Sequence, residues 1–285
     1  MNKLRILLIV FLLITSYGYS FQEIKIPEKY TQSLNDKKII YFFSESNLIK
    51  VDVESNKVSK PLEFNNNGYN INNFEIVLIK DKFYFIQNIG GIVLELRDKK
   101  LIRIDKSYEH KMQLSSSIFT YNNEIYRYGG YGFFKAFDLL LKFDFLTHEW
   151  EAIKINNKNI PNGRFDCAYT INDSVFTVIG GTTVDRFNSE NKISLNDIWS
   201  FSFKEKKWEK IMDFKGMRNI NSNSFRFDNT ILFINQNLIK TLDINSFKLS
   251  SFDVGSTYLK HNSNFNLHFY EGNFYFVISR NNGER

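Results

Sequence analysis

Pairs of adjacent glycines at Gly90-Gly91, Gly129-Gly130 and Gly180-Gly181, 39 and 51 residues apart, restrict this 285-residue chain more than any other feature. A period of that length belongs to architectures built from one repeated supersecondary unit. Glycine recurring at one point of the unit marks a place where the backbone turns with positive φ or where a Cβ would clash. The two clearest units are 115–153, SSSIFTYNNEIYRYGGYGFFKAFDLLLKFDFLTHEWEAI, and 164–211, which opens RFDCAYTINDSVFTVIGG and closes NDIWSFSFKEKKWEKI after an insertion. Each shows a short alternating strand, an Asn/Asp turn (Asn122-Asn123, Asn172-Asp173) and a second strand ending in the glycine pair. A third strand with an acidic residue and aromatics follows (Asp138, Phe143; Asp197, Trp199, Phe201), then a polar turn and a fourth strand opened by Trp150 or Trp208.

This order resembles the kelch repeat, whose marks are a double glycine closing the second strand, an aromatic in the third and a tryptophan opening the fourth. The resemblance implies an all-β fold, a kelch-type β-propeller related to the central domain of galactose oxidase. In it each tryptophan packs between neighbouring blades, and stacking four-stranded sheets supplies the core that one sheet cannot. Gly90-Gly91 lies in a weaker unit, 74–104, where Leu101 stands in place of the tryptophan. Degenerate copies without glycines or tryptophan occupy 39–64 and 223–254, and a half-unit with two strands covers 264–279. About six blades are therefore expected, the last incomplete. Two readings of that last blade stay open: Glu23-Ile24-Lys25-Ile26 lends it a strand, or the chain is a truncated form of a longer protein.

Composition agrees with a β fold. Of the residues 16% are aromatic, including 29 Phe, against only 3 Pro, and aromatics favour pleated, half-buried surfaces. The net charge of +6 is spread singly, and Lys204-Glu205-Lys206-Lys207 falls at an expected hairpin turn, so nucleic acid is not an expected partner. At the N-terminus Lys3 and Arg5 precede the apolar run 6–14, and small or polar residues follow to Ser20. This is the layout of a signal peptide, and the apolar run is too short to span a bilayer. The expected division is a signal peptide over 1–20 and a propeller over 21–285. The mature chain is expected in the periplasm or outside the cell, with no membrane contact after cleavage. The single Cys167 admits no internal disulfide.

Candidate chemistry is sparse. His110, His148, His261 and His268 show no convincing metal-ligand spacing, and neither a metal nor a cofactor is expected. Galactose oxidase joins a cysteine to a tyrosine beside copper, but the surroundings of Cys167 reproduce none of those motifs, so the cysteine reads as a small buried residue. The sequence PNGRF places Arg164 at the channel-side start of a first strand, with Arg218 and Arg226 near the corresponding point of a later unit. Arginines converging on a propeller mouth would bind a carboxylate bidentately, as an acidic sugar requires; an Arg164 paired with a loop carboxylate would be structural. The insertion 182–196 brings Asp185, Arg186, Phe187 and Asn188 together in a connection longer than loops without function usually are, disorder being the plainer alternative.

Two function classes follow. The first is a non-enzymatic exported module that binds a protein or a glycan through its loop face, since loops on a rigid scaffold carry recognition. The second, implied by resemblance to sialic acid mutarotases among exported kelch propellers, is a carbohydrate-acting enzyme. No carboxylate pair, Ser-His-Asp set or phosphate-binding loop marks a catalytic centre.

Overall fold

A computed structural model describes residues 30–106, 112–185, 187–214, 224–227, 229–235, 238–253, 265–271 and 273–278. The chain is an all-β propeller with five blades. Blade 1 comprises β1 (Gln32–Asp36), β2 (Ile39–Phe43), β3 (Asn47–Asp52) and β4 (Lys57–Val58) in that order, with β5 (Leu62–Glu63) pairing β3 alongside β4. Blade 2 is β6 (Phe74–Ile79), β7 (Lys82–Gln87), β8 (Val93–Arg97) and β9 (Lys100–Arg103). In blade 3, β10 (Ser117–Tyr121) and β11 (Glu124–Tyr128) lead into a small ribbon, β12 (Tyr131–Gly132) with β13 (Lys135–Ala136), before β14 (Leu140–Asp144) and β15 (Glu149–Ala152) complete the sheet. Blade 4 repeats this plan with β16 (Ala168–Asn172), β17 (Val175–Ile179), the ribbon β18 (Thr182–Val184) and β19 (Lys192–Ser194), then β20 (Asp197–Ser202) and β21 (Lys207–Asp213). Blade 5 contains β22 (Ser224–Phe227), β23 (Thr230–Asn235), β24 (Leu238–Asp243) and β25 (Leu249–Asp253), and a two-stranded sheet of β26 (Phe265–Tyr270) and β27 (Asn273–Ile278) follows.

The sixth unit is thus two strands, not a blade, among the described residues, and the complete blades number five rather than about six. Blade 1 starts at Gln32 instead of residue 39, because QSLND lacks the apolar alternation that makes a strand visible in sequence. The turn expected at Asn172-Asp173 falls one residue later, since Asn172 pairs with Val175 across the hairpin. Residues 23–26 lie outside the described ones.

Local chemistry accounts for the hairpins. Lys80-Asp81 and Asn122-Asn123 form two-residue loops with φ of 48°, 63°, 50° and 61°, the left-handed pair that matches strand twist. The third-to-fourth-strand loops of blades 1, 3 and 4 each end on one left-handed residue, Asn56, His148 or Lys206. The latter two amides bond back to Asp144 O and Ser202 O at 2.8 Å.

By compactness the chain falls into two units, 43–48 with 61–224, and 1–42 with 49–60 and 225–285. In the larger unit the core lies between blades. Trp150 packs with Val77, Tyr84, Ile86 and Val93 of blade 2 and with Ile118, Ile125 and Phe143 of its own blade. Trp208 packs with Phe119, Tyr126 and Tyr128 of blade 3 and with Phe176 and Phe201 of its own. Ring contacts connect the same two sheets: Phe119 stacks on Phe176 at 4.4 Å, and Trp208 lies 5.1 Å from Tyr128. Leu101, at the tryptophan's place in blade 2, is fully buried. In the smaller unit Ile40, Phe42, Ile49, Val51 and Val53 form a core against Tyr30, Tyr270 and Tyr275. There His268 bonds Ser33 Oγ at 2.8 Å, and burial pulls its imidazole down to about 4, the state of a structural neutral histidine.

Since Trp208 fills the seam between two sheets, Trp208→Ala should cost about 3–5 kcal/mol and lower the melting temperature sharply. Thermal unfolding followed by circular dichroism measures this, and an unchanged melting temperature would remove Trp208 from the inter-blade core.

Candidate loop-face site

The glycine pairs set the geometry of one end of the propeller. Five of the six glycines have positive φ, from 57° at Gly180 to 99° at Gly130; Gly90 alone does not. The space their side chains would need is filled, by the next blade at Gly91 and Gly129 and by the same blade at Gly130 and Gly181. A Cβ on Gly91 would lie 2.8 Å from Arg127 Nη1, and one on Gly129 would collide with the carbonyl of Arg164. The chain entering a blade is bonded to the turn of the blade before it: Gly130 N donates to Arg164 O at 2.7 Å and Gln113 N to Ile89 O at 3.0 Å, while Trp150 Nε1, from the fourth strand of blade 3, donates to Gly91 O at 2.7 Å.

Arg164 is fully buried at this junction. Its Nη1 reaches Asp197 Oδ1 at 2.8 Å and Gly180 O at 2.9 Å, Nη2 reaches Asp197 Oδ2 at 3.3 Å, and Nε reaches Asn162 O at 3.1 Å. Asp197 also accepts Trp199 Nε1 at 2.8 Å. Burial works against that carboxylate, but the Arg164 guanidinium and the indole hold it below the usual carboxylate range. The guanidinium is therefore committed to a structural pair. Arg127, which sequence reading does not single out, is buried on β11 and reaches across to the turn of blade 2. It bonds Asn88 O, Ile89 O, Gln113 O and Ser116 Oγ, and burial lowers its pKa to about 9.

Beyond Gly129-Gly130 and Gly180-Gly181 the chain runs out into a ribbon, whereas Gly90-Gly91 leads directly into β8. The first ribbon is pinned at its base by Leu114 pairing with Tyr131, the second by Phe165 pairing with Thr182. The two emerge from equivalent points of adjacent blades, and β13 runs against β18. The insertion 182–196 is therefore a hairpin with its own pairing, and the expectation of a patternless loop is corrected: Thr183 faces Ile193 and Val184 faces Lys192 across the ladder.

At the tips stand three phenylalanines. Phe133 and Phe134 are the two central residues of the first ribbon's turn, 62% and 76% exposed, and Phe187 in the second is fully exposed. Phe133 and Phe134 have φ of 50° and 61°, a left-handed pair that bulky side chains avoid and that Asn-Gly adopts readily. Asp185 and Asn188 turn back on their own backbone: Phe187 N donates to Asp185 Oδ1 at 2.7 Å, and Glu190 N to Asn188 Oδ1 at 3.1 Å. Behind the tips the Lys135 ammonium sits 4.9 Å from the centre of the Phe137 ring and that of Lys192 5.8 Å from Phe165.

Of the sequence-predicted residues, the fold brings Asp185, Phe187 and Asn188 to one turn, and Arg164 lies in the junction beneath. Arg186, Arg218, His110 and His261 lie outside the described residues, and Arg226 stands on β22. Sequence reading misses Phe133 and Phe134, although two aromatics directly after Gly-Gly-Tyr-Gly are a visible anomaly at a turn.

Three other places were candidates for chemistry. Cys167 is buried, 3.3 Å from Ser117 Oγ, and burial pushes its thiol up. Glu75, on β6, keeps accessible surface, and desolvation by the protein around it raises its carboxyl to about 7. A shallow cleft lined by Tyr121, Glu124, Lys142, Phe203 and Lys204 lies at the opposite end of the strands from the ribbons. Among the described residues no group of three or more His, Cys, Asp or Glu side chains is placed to hold a metal ion, and no helix is long and apolar enough to cross a membrane. No model of a known protein family matches the chain, and no curated protein is similar to it.

Replacing the strained turn by its preferred residues, Phe133→Asn with Phe134→Gly, should stabilise the fold by about 1 kcal/mol, because a left-handed non-glycine residue costs roughly that much. A melting experiment tests this. A lower melting temperature would mean that the rings contribute packing that outweighs the backbone strain.

Proposed function

We propose that this chain is an exported kelch-type propeller acting as a non-enzymatic interaction module, with a protein or a glycan as its partner. Its recognition face is the end that carries the two ribbons. The observation that supports this reading is the pair of adjoining hairpins projecting from a rigid glycine-locked junction and ending in exposed phenylalanines. Exposed apolar side chains gathered on one protrusion mark contact sites far more often than scattered ones do. The propeller supplies the rigid support, and the connections carry the variable surface. Engagement of Arg164 by Asp197 removes the arginine that an acidic-sugar site at the mouth would have used. Export rests on the charged, apolar and small-residue zones of 1–20.

N-terminal sequencing of the secreted protein should give Phe21 as the first residue; a product still beginning at Met1 and held in the membrane would overturn export. On the mature chain, a glycan array and a mutarotation assay on sialic acid separate recognition from sugar-ring chemistry. Binding without mutarotation is expected, and catalysed anomer exchange would defeat the reading. Replacement of 184–192 by a short Gly-Ser turn should then weaken the partner so found by roughly tenfold or more, the loss of one anchoring aromatic. A folded variant with full affinity would take the second ribbon out of recognition.

A further inference from the structure

The geometry of the tips points to a second role: we propose that Phe133, Phe134 and Phe187 seat the propeller on an anionic phospholipid surface, with Lys135 and Lys192 at the level of the lipid phosphates. This goes beyond the reading above, because it concerns where the module is held and not what it recognises. It also revises the expectation of no membrane contact. That expectation rests on the lack of an apolar spanning segment, and interfacial attachment needs none.

Four observations carry it. First, the rings are the most exposed part of protrusions, and two of them occupy a turn whose backbone would be easier to form without them. Strain held at an exposed site points to a role other than folding. Second, part of the polar capacity of the second tip is used internally: Asp185 Oδ1 and Asn188 Oδ1 accept the amides of Phe187 and Glu190, while the Phe187 ring projects fully exposed. A fluid interface requires neither a shaped pocket nor directional hydrogen bonds, whereas a pocketed protein or a glycan rewards both.

Third, the ribbon backbones are satisfied internally. Tyr131 pairs Ala136, Gly132 pairs Lys135, and the second ladder runs from Thr182 to Ser194, so the tips can enter a region poor in water without stranding amides along the ladders. Fourth, a lysine lies behind each tip, packed along an aromatic ring, on a chain whose net charge of +6 becomes +4 when Lys3 and Arg5 leave with residues 1–20. Aromatics ahead of ammonium groups match the layering of an interface, where rings reach the acyl boundary and cations meet phosphate. The two ribbons start from equivalent points of neighbouring blades, so both tips can meet one plane.

The test uses the mature chain and vesicles of phosphatidylcholine, alone or mixed with phosphatidylglycerol. Wild-type protein should sediment with the mixed vesicles and several-fold less with phosphatidylcholine alone. The variant Phe133→Asn, Phe134→Gly, Phe187→Ser should lose about tenfold or more of that binding, because interfacial affinity follows buried apolar area. Its melting temperature, at or above that of wild type, shows that the loss is not unfolding. Wild-type protein that stays in the supernatant, or a folded variant that sediments as strongly, would overturn the proposal. Lipid-free self-association that accounts for the pelleting, abolished by the same substitutions, would assign the rings to a protein contact instead. Partner binding retained by a variant that no longer sediments would assign the rings to the lipid surface alone and take them out of partner recognition.

Discussion

The junction between one blade's glycine turn and the chain entering the next is the contact on which the rest of the larger unit depends. A second strand cannot end beside its neighbour unless the turn has no side chain, because the space is taken by the Arg164 carbonyl, the Gln113 backbone or the Arg127 guanidinium. The polar groups exposed by so close an approach must then be satisfied in a dry place. Two buried arginines do this in different ways. Arg164 pairs with Asp197 and also bonds the carbonyl of Gly180, so charge is neutralised where it is buried. Arg127 collects three backbone carbonyls and a serine hydroxyl, an arrangement in which many partial charges replace one full one. Both cover carbonyls at the turns, Arg127 by reaching across to blade 2 and Arg164 by tying the chain that enters blade 4 to that blade's own turn.

With that spacing set, the aromatics can pack. Each four-stranded sheet presents two apolar faces, and the sequence answers with aromatic side chains on alternating positions of the inner strands. Phe119, Tyr126, Phe176 and Trp208 form one continuous seam from blade 3 to blade 4. Trp150 adds a hydrogen bond to its packing, so losing it would both open a cavity and strand the carbonyl of Gly91. Blade 2 manages with Leu101 at the tryptophan's place because leucine there is still fully buried. The volume need not be aromatic for the seam to close, which is why a degenerate unit can keep the fold.

The same junction explains where the unusual surface sits. A turn locked by glycines and arginine is a rigid base, and the chain leaving it can form a ribbon whose tip is free of packing duties. The phenylalanines at those tips have little to do with the core behind them. The backbone conformation of Phe133 and Phe134 is one that folding alone would assign to asparagine and glycine.

The repeat, the four-strand order, the glycine pairs and the inter-blade tryptophans were all legible in the amino-acid sequence, because each follows from short-range pattern: alternation of period two, turn residues, and glycine where φ is positive. Phe187 and its neighbours in the insertion were legible as a departure from the repeat length. Other features were not. The first strand of blade 1 carries no alternation, and two strands of a sixth unit look in sequence like the start of another blade. The carboxylate that meets Arg164 is 33 residues away, so only the pairing of β17 with β20 brings Asp197 to it and makes a candidate ligand-binding arginine a structural one. Phe133 and Phe134 could pass for core aromatics in a chain with 29 phenylalanines, and only the register of β12 with β13 puts both at the centre of a two-residue turn facing solvent. Local pattern thus determined the elements of this protein. Tertiary structure decided which charges are buried together and which aromatics face outward, because those depend on contacts between residues that no sequence period relates.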